Sequence, residues 1–219
     1  MIVIRDKAEL TRLISLLRTG DQLFFGGSGW WSEAIDAWTD SVISHCATWS
    51  EAVEAWTDSV ISHCATVIAE GSLRWLIEML PGGIRVSSLR HRVEEAEDCW
   101  AALLRRASRP KTDPVVWRAT EFLGMGVKYD YGAIRSYFFG NRPKEDSARL
   151  YCSELSGILI RESGLLPREF SAALTPQEVA MLRVYEPDYY CLAWKNGAPK
   201  EIRGFNSMDP REGLVGRSV

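Results

Sequence analysis

The stretch Leu150-Tyr-Cys-Ser-Glu-Leu-Ser-Gly157 constrains this chain more than any other. Leu155, Ile158, Leu159 and Ile160 follow the cysteine at near-helical spacing, and Gly164 closes the run. Apolar residues recurring near every 3.6 positions and ending on glycine predict a packed helix. The spacing puts Cys152 in the first turn of that helix. There the backbone N–H groups lack intrahelical partners and the dipole is positive. Both favour thiolate over thiol, so the pKa falls and a nucleophile is armed. The alternative is a buried structural cysteine, the ordinary fate of a free thiol.

The rest of the composition narrows the class. The chain has 219 residues and no low-complexity linker, which predicts one domain over residues 1–219. A formal charge of −3 with no basic run argues against a nucleic-acid partner. No apolar stretch approaches the ~18 residues needed to span a bilayer, and the start, Met1-Ile-Val-Ile-Arg-Asp6, does not read as a secretory signal. The five cysteines (Cys46, Cys64, Cys99, Cys152 and Cys191) are odd in number and lack a CxxC pair. That argues against a disulfide framework and a zinc site. The expectation is a cytoplasmic protein in a reducing compartment, with no metal and no cofactor.

Several elements can be placed in order. Asp6 should cap a helix carrying Leu10, Leu13, Ile14 and Leu17, with Glu9 as reciprocal partner. Gly20-Asp21 turns into a buried strand, Gln22 to Phe25, and Gly26-Gly-Ser-Gly29 is a loop suited to border a cleft. Leu73 to Met79 and Ile84 to Leu89 read as strands joined at Pro81-Gly-Gly83. Glu78 interrupts the apolar run of the first; such a carboxylate either faces water or pairs with a buried group such as a histidine. Residues 93–107 look amphipathic and helical. Further helices should begin at Pro114, after Tyr129-Asp-Tyr131, and at Thr175-Pro176. Asn196-Gly197 predicts a hairpin between 189–194 and 202–205, and the polar tail from Ser207 should fray.

One segment is duplicated. Trp31 to Thr48 is followed at once by Trp49 to Thr66, and only Ile35/Val53 and Asp36/Glu54 differ. Two copies are too few for a solenoid. Each copy carries one histidine, His45 and His63, but only the second runs into an apolar strand, Val67-Ile-Ala69. A catalytic base needs a rigid seat and a strand provides one, so His63 is favoured and His45 is the alternative. The surplus copy carries Trp38, Val42 and Ile43, which predicts self-association into a homodimer through the duplicated segment.

The order of these motifs is similar to that of a known family. Gly-Asp-x-Leu-Phe at 20–24, Ser-His opening a strand at 62–63, Ile-Glu at 77–78, Tyr-Asp at 129–130 and Tyr-Cys-Ser-Glu-Leu at 151–155 follow one another as in circularly permuted NlpC-type, papain-like cysteine hydrolases. The nearest look is the YiiX-like branch, related to the lecithin:retinol acyltransferase-like proteins. The resemblance implies an α+β fold with a small antiparallel sheet packed against helices. It also implies Cys152 as nucleophile, His63 as base and Glu78 as the third member. Tyr129, Asp130, Tyr131 and Tyr151 would line the substrate site, although Asp130 also suits a helix cap. The duplication departs from the family pattern.

The expected activity is therefore a thiol hydrolase cleaving an amide, peptide or ester bond through an acyl-enzyme, with cell-wall-type peptides the leading substrate. Two alternatives differ in class. One is a lipid-directed acyltransferase or lipase-like thiol enzyme. The other is an inactive binding or assembly module, for which the tryptophans of the duplicated segment would form a partner surface.

Overall fold

The computed structural model describes residues 1–26, 60–138, 141, 143–146, 148–195 and 197–210. Most of the duplicated segment, including His45, lies outside the described residues, so the base alternative and the homodimer rest on sequence alone.

The described residues form a mixed α+β fold. Its strands are β1 (Ile2–Val3), β2 (Gln22–Gly26), β3 (His63–Glu70), β4 (Leu73–Leu80), β5 (Gly83–Ser88), β6 (Asp98–Leu104) and β9 (Tyr185–Trp194), with a separate parallel pair, β7 (Lys128–Tyr129) and β8 (Arg149–Leu150). The helices are α1 (Lys7–Leu16), α2 (Leu89–Glu95), α3 (Asp113–Met125), α4 (Tyr131–Phe138), α5 (Cys152–Glu162) and α6 (Pro176–Met181). The main sheet has seven strands in the order β1-β9-β6-β2-β3-β4-β5, larger than the small sheet expected. Every pairing in it is antiparallel except β1 with β9.

Strand alternation distributes side chains to both faces of this sheet. Leu23 and Phe25 of β2 and Leu76 of β4 join Leu13, Ile14 and Leu17 of α1 and Leu89 and Val93 of α2 in one apolar cluster. Phe24, Ile77, Met79 and Trp100 join Leu155 and Leu159 of α5 in the other. The central strands are covered on both faces, which is why β2 is buried throughout and reads as a continuous apolar run. A fully buried side chain such as Phe24 contributes about 1.5–3 kcal/mol of transfer free energy.

The polar residue before β2 is structural. Asp21 is fully buried. Its carboxylate accepts from the Leu104 N–H at 2.8 Å and the Arg18 N–H at 2.7 Å, and pairs with Arg106. It thereby ties the entry of β2 to the end of β6.

Several local expectations hold in detail. Asp6 Oδ1 accepts from the N–H groups of Ala8 and Glu9, but Glu9 reaches the Arg5 N–H instead of closing onto Asp6. Thr175 and Glu178 form a complete capping box on α6. Helix α3 runs on to Met125, and Gly126, not singled out from the sequence, ends it at φ 60°, in the left-handed region that glycine enters without penalty.

Three expectations are corrected. Residues 93–107 are not one helix: α2 ends at Glu95 and β6 occupies 98–104. Trp100 and Ala102 face one side of the sheet and Cys99 and Ala101 the other, so burial on both faces produced an apolar pattern easily taken for helical. Residues 202–205 form turns, not the return strand of a hairpin, because β9 already has β6 and β1 as neighbours. Ile202 is held instead by its N–H, which donates to the Tyr189 hydroxyl at 2.8 Å. The start of the tail is anchored, with Met208 bonded to Met181 and Arg183.

Candidate active site

Helix α5 runs against β3 and β4, and all its residues from Cys152 to Ile160 are buried. Gly157 allows the close approach of a neighbouring segment: an added Cβ would lie 3.0 Å from the Ala172 carbonyl oxygen. The N-cap, Tyr151, has extended backbone and makes no side-chain capping hydrogen bond. Cys152 is the first helical residue, as the spacing predicted, and is 4% exposed.

His63 opens β3, with Phe25 of β2 opposite it. The β3–β4 register, Thr66 opposite Ile77, places His63 diagonally from Glu78 on one face of the sheet. His63 Nε2 and Glu78 Oε2 stand 3.1 Å apart, and both side chains are fully buried. The carboxylate is held from its other side by Arg92 of α2, whose Nε donates to Oε1 at 3.1 Å and Nη2 to Oε2 at 3.2 Å. The Phe25 ring lies 5.7 Å from the His63 ring, and the Arg92 guanidinium sits 5.1 Å over its centre. Histidine, carboxylate, guanidinium and phenyl ring thus enclose one another.

Cys152 lies close enough to both His63 and Cys64 for each to shift its acidity. The hydrogen bond from Cys64 and the charge of His63 outweigh burial and bring the Cys152 pKa well below the ordinary thiol value. Burial pushes the Cys64 thiol well above its ordinary value, and the neighbouring Cys152 sulfur adds to this, so Cys64 stays a hydrogen donor. His63 is raised: burial opposes its charge, but Cys152 and Glu78 more than compensate. Glu78 titrates at about 2, because its bonds to His63 and the charge of Arg92 overcome burial. These shifts all run toward the charged forms of Cys152, His63 and Glu78.

The remaining expected site residues divide. Tyr129 is buried and close enough to Cys152 for the sulfur's charge to help raise its pKa. The Tyr131 ring packs 4.9 Å from that of Tyr129, and its hydroxyl donates to the Pro81 carbonyl at 3.0 Å. Asp130 acts as a cap, its Oδ1 accepting from the Ala133 N–H at 2.9 Å at the start of α4. Tyr151 is 1% exposed and belongs to the core.

Sequence reasoning missed Cys64, Arg92 and Phe25. Cys64 was open to inference, since it adjoins the favoured histidine. Arg92 had no local signal, for its role depends on α2 folding back over β4.

Fold and site together define a mixed α+β protein in which a thiol at a helix N-terminus meets a histidine–glutamate pair. No family model and no curated protein matches the chain. Among solved structures, it is similar to the metalloprotein yiiX from Escherichia coli O157:H7, with 18% sequence identity and a TM-score of 0.45, over 67% of this chain and 66% of that one. Among the described residues, no group of three or more His, Cys, Asp or Glu could hold a metal ion, and no helix is long and apolar enough to cross a membrane.

Proposed function

We propose that the protein is a cysteine hydrolase that cleaves an amide, peptide or ester bond through a thioester on Cys152. The observation that carries this reading is the buried His63–Glu78 pair, 3.1 Å apart, with Cys152 at the helix start near enough to His63 for the histidine to favour its thiolate.

The chemistry follows from the contacts. His63 takes the Cys152 proton and remains paired with Glu78, which fixes its orientation and stabilises the imidazolium. The thiolate attacks the substrate carbonyl carbon. The oxyanion that forms lies near the N–H of Cys152, which has no intrahelical partner at the first helical position. Collapse breaks the bond to the leaving group, which departs with the His63 proton. Water, deprotonated by His63, then attacks the thioester carbonyl and releases the acid and the thiol. The motif order shared with NlpC-type hydrolases supports a cell-wall-type peptide as substrate.

p-Nitrophenyl acetate tests the reading. A burst of p-nitrophenol with an acetyl adduct on Cys152, seen by mass spectrometry and lost in Cys152→Ala, is expected. No adduct, or an adduct on Cys64, Cys99 or Cys191 instead, overturns it.

A further inference from the structure

A second feature lies on the side of α5 that faces α3. A cavity of about 120 Å³ opens there, lined by residues of both helices and of the 143–146 segment. Its walls carry an excess of carboxylates. Two of them are already matched: Arg118 pairs with Glu162 at 3.3 Å and Arg161 with Glu145 at 3.0 Å. Glu154 is not. It is 1% exposed, its Oε1 accepts from the Asp146 N–H at 3.3 Å, the Tyr151 N–H also favours its charge, and its Oε2 has no hydrogen-bond partner among the described residues. No cation among the described residues pairs with it. Buried polar atoms are nearly always partnered, so an unsatisfied carboxyl oxygen at a cavity wall marks a place for a ligand.

The walls select the ligand's chemistry. Phe122 and Ile158 supply an apolar side. An anion would have to break the two arginine pairs. A metal ion wants several converging donors, and no such group exists among the described residues. A short alkyl chain ending in an ammonium group answers both surfaces, its methylenes on Phe122 and Ile158 and its N–H donors on Glu154. We propose that this cavity binds a small alkylammonium ion, or the amine end of a larger molecule, against the Glu154 carboxylate.

The titration of Glu154 supports this. Burial, with the nearby charges of Asp130 and Glu145, raises it to about 8. The raised pKa favours the protonated carboxyl at neutral pH, and a bound ammonium would replace that proton. The site does not depend on the hydrolase reading, since it stands apart from the Cys152–His63 contact.

n-Butylammonium chloride is a direct probe. The thermal midpoint of the whole protein should rise saturably with it, and not with equal sodium chloride. Calorimetry at pH 7 in two buffers of different ionisation heat should show close to one proton released per ion bound. Affinity should fall roughly tenfold per pH unit below the Glu154 pKa. Glu154→Gln should abolish the response. No saturable response in the wild type, binding without proton release, or equal binding to folded Glu154→Gln overturns the proposal. Proton release is read on the wild type, so the test survives a variant that does not fold.

Discussion

His63 Nε2 and Glu78 Oε2 lie 3.1 Å apart with neither side chain exposed to solvent. The bond joins adjacent strands, and Arg92 of α2 closes the carboxylate from behind at 3.1 Å. A buried carboxylate paired with His63, Arg92 and, at 3.9 Å, the exposed Arg85 is costly to remove, because the buried partners lose their compensating charge. The amide of Glu78→Gln would take from the buried Arg92 its buried carboxylate partner and leave it the more exposed Glu95 at 3.7 Å. It should destabilise the protein by about 3–5 kcal/mol in a denaturant melt. It should also slow Cys152 alkylation near neutral pH, and rates unchanged across pH 5 to 8 would separate Glu78 from the thiol.

The same carboxylate makes stability depend on acid. Glu78 titrates at about 2 in the folded protein, below the ordinary glutamate value of 4.5. Its stabilisation is complete above the unfolded value and is lost as pH falls from there through the folded pKa. The loss should be at most about 3 kcal/mol. Chemical denaturation between pH 5 and pH 2 measures it, and the slope should flatten in Glu78→Gln.

Cys152 should be the cysteine most reactive to iodoacetamide at pH 7, for its thiol is shifted well down while those of Cys64 and Cys99 are shifted well up. Cys64→Ala removes the largest single cause of that shift. A hydrogen bond to a charged group is worth about 1.5–3 kcal/mol, so the Cys152 pKa should rise by about one to two units. Thiolate ultraviolet absorbance against pH reads the shift; an unmoved midpoint would show that Cys64 is only packing.

The duplicated segment makes a separate prediction. His63 is bonded to Glu78, whereas His45 lies outside the described residues. His63→Ala should abolish rapid alkylation of Cys152 and His45→Ala should leave it. Deleting residues 32–49 keeps one complete copy running into β3, so that variant should fold and retain the activated thiol. A deletion variant that unfolds, or the reverse histidine pattern, would count against this assignment.

The sequence by itself determined what local physics decides. Helix α5 with Cys152 in its first turn, the Asp6 and Thr175 caps, the buried strand β2 and the β4–β5 hairpin all follow from periodicity, caps and turn residues. Each depends on neighbours within a few positions. A carboxylate inside an apolar strand announced Glu78 as a residue needing a partner. Only the tertiary structure decided which partner it has, because the His63–Glu78–Arg92 contacts rest on strand register and on α2 folding back over the sheet. The same holds for β6, whose apolar residues face both sides of the sheet and so lack a two-residue period. It holds also for Cys64 and Glu154. Their side chains are ordinary in sequence, and their changed acidities arise from burial and from charges that come near only on folding.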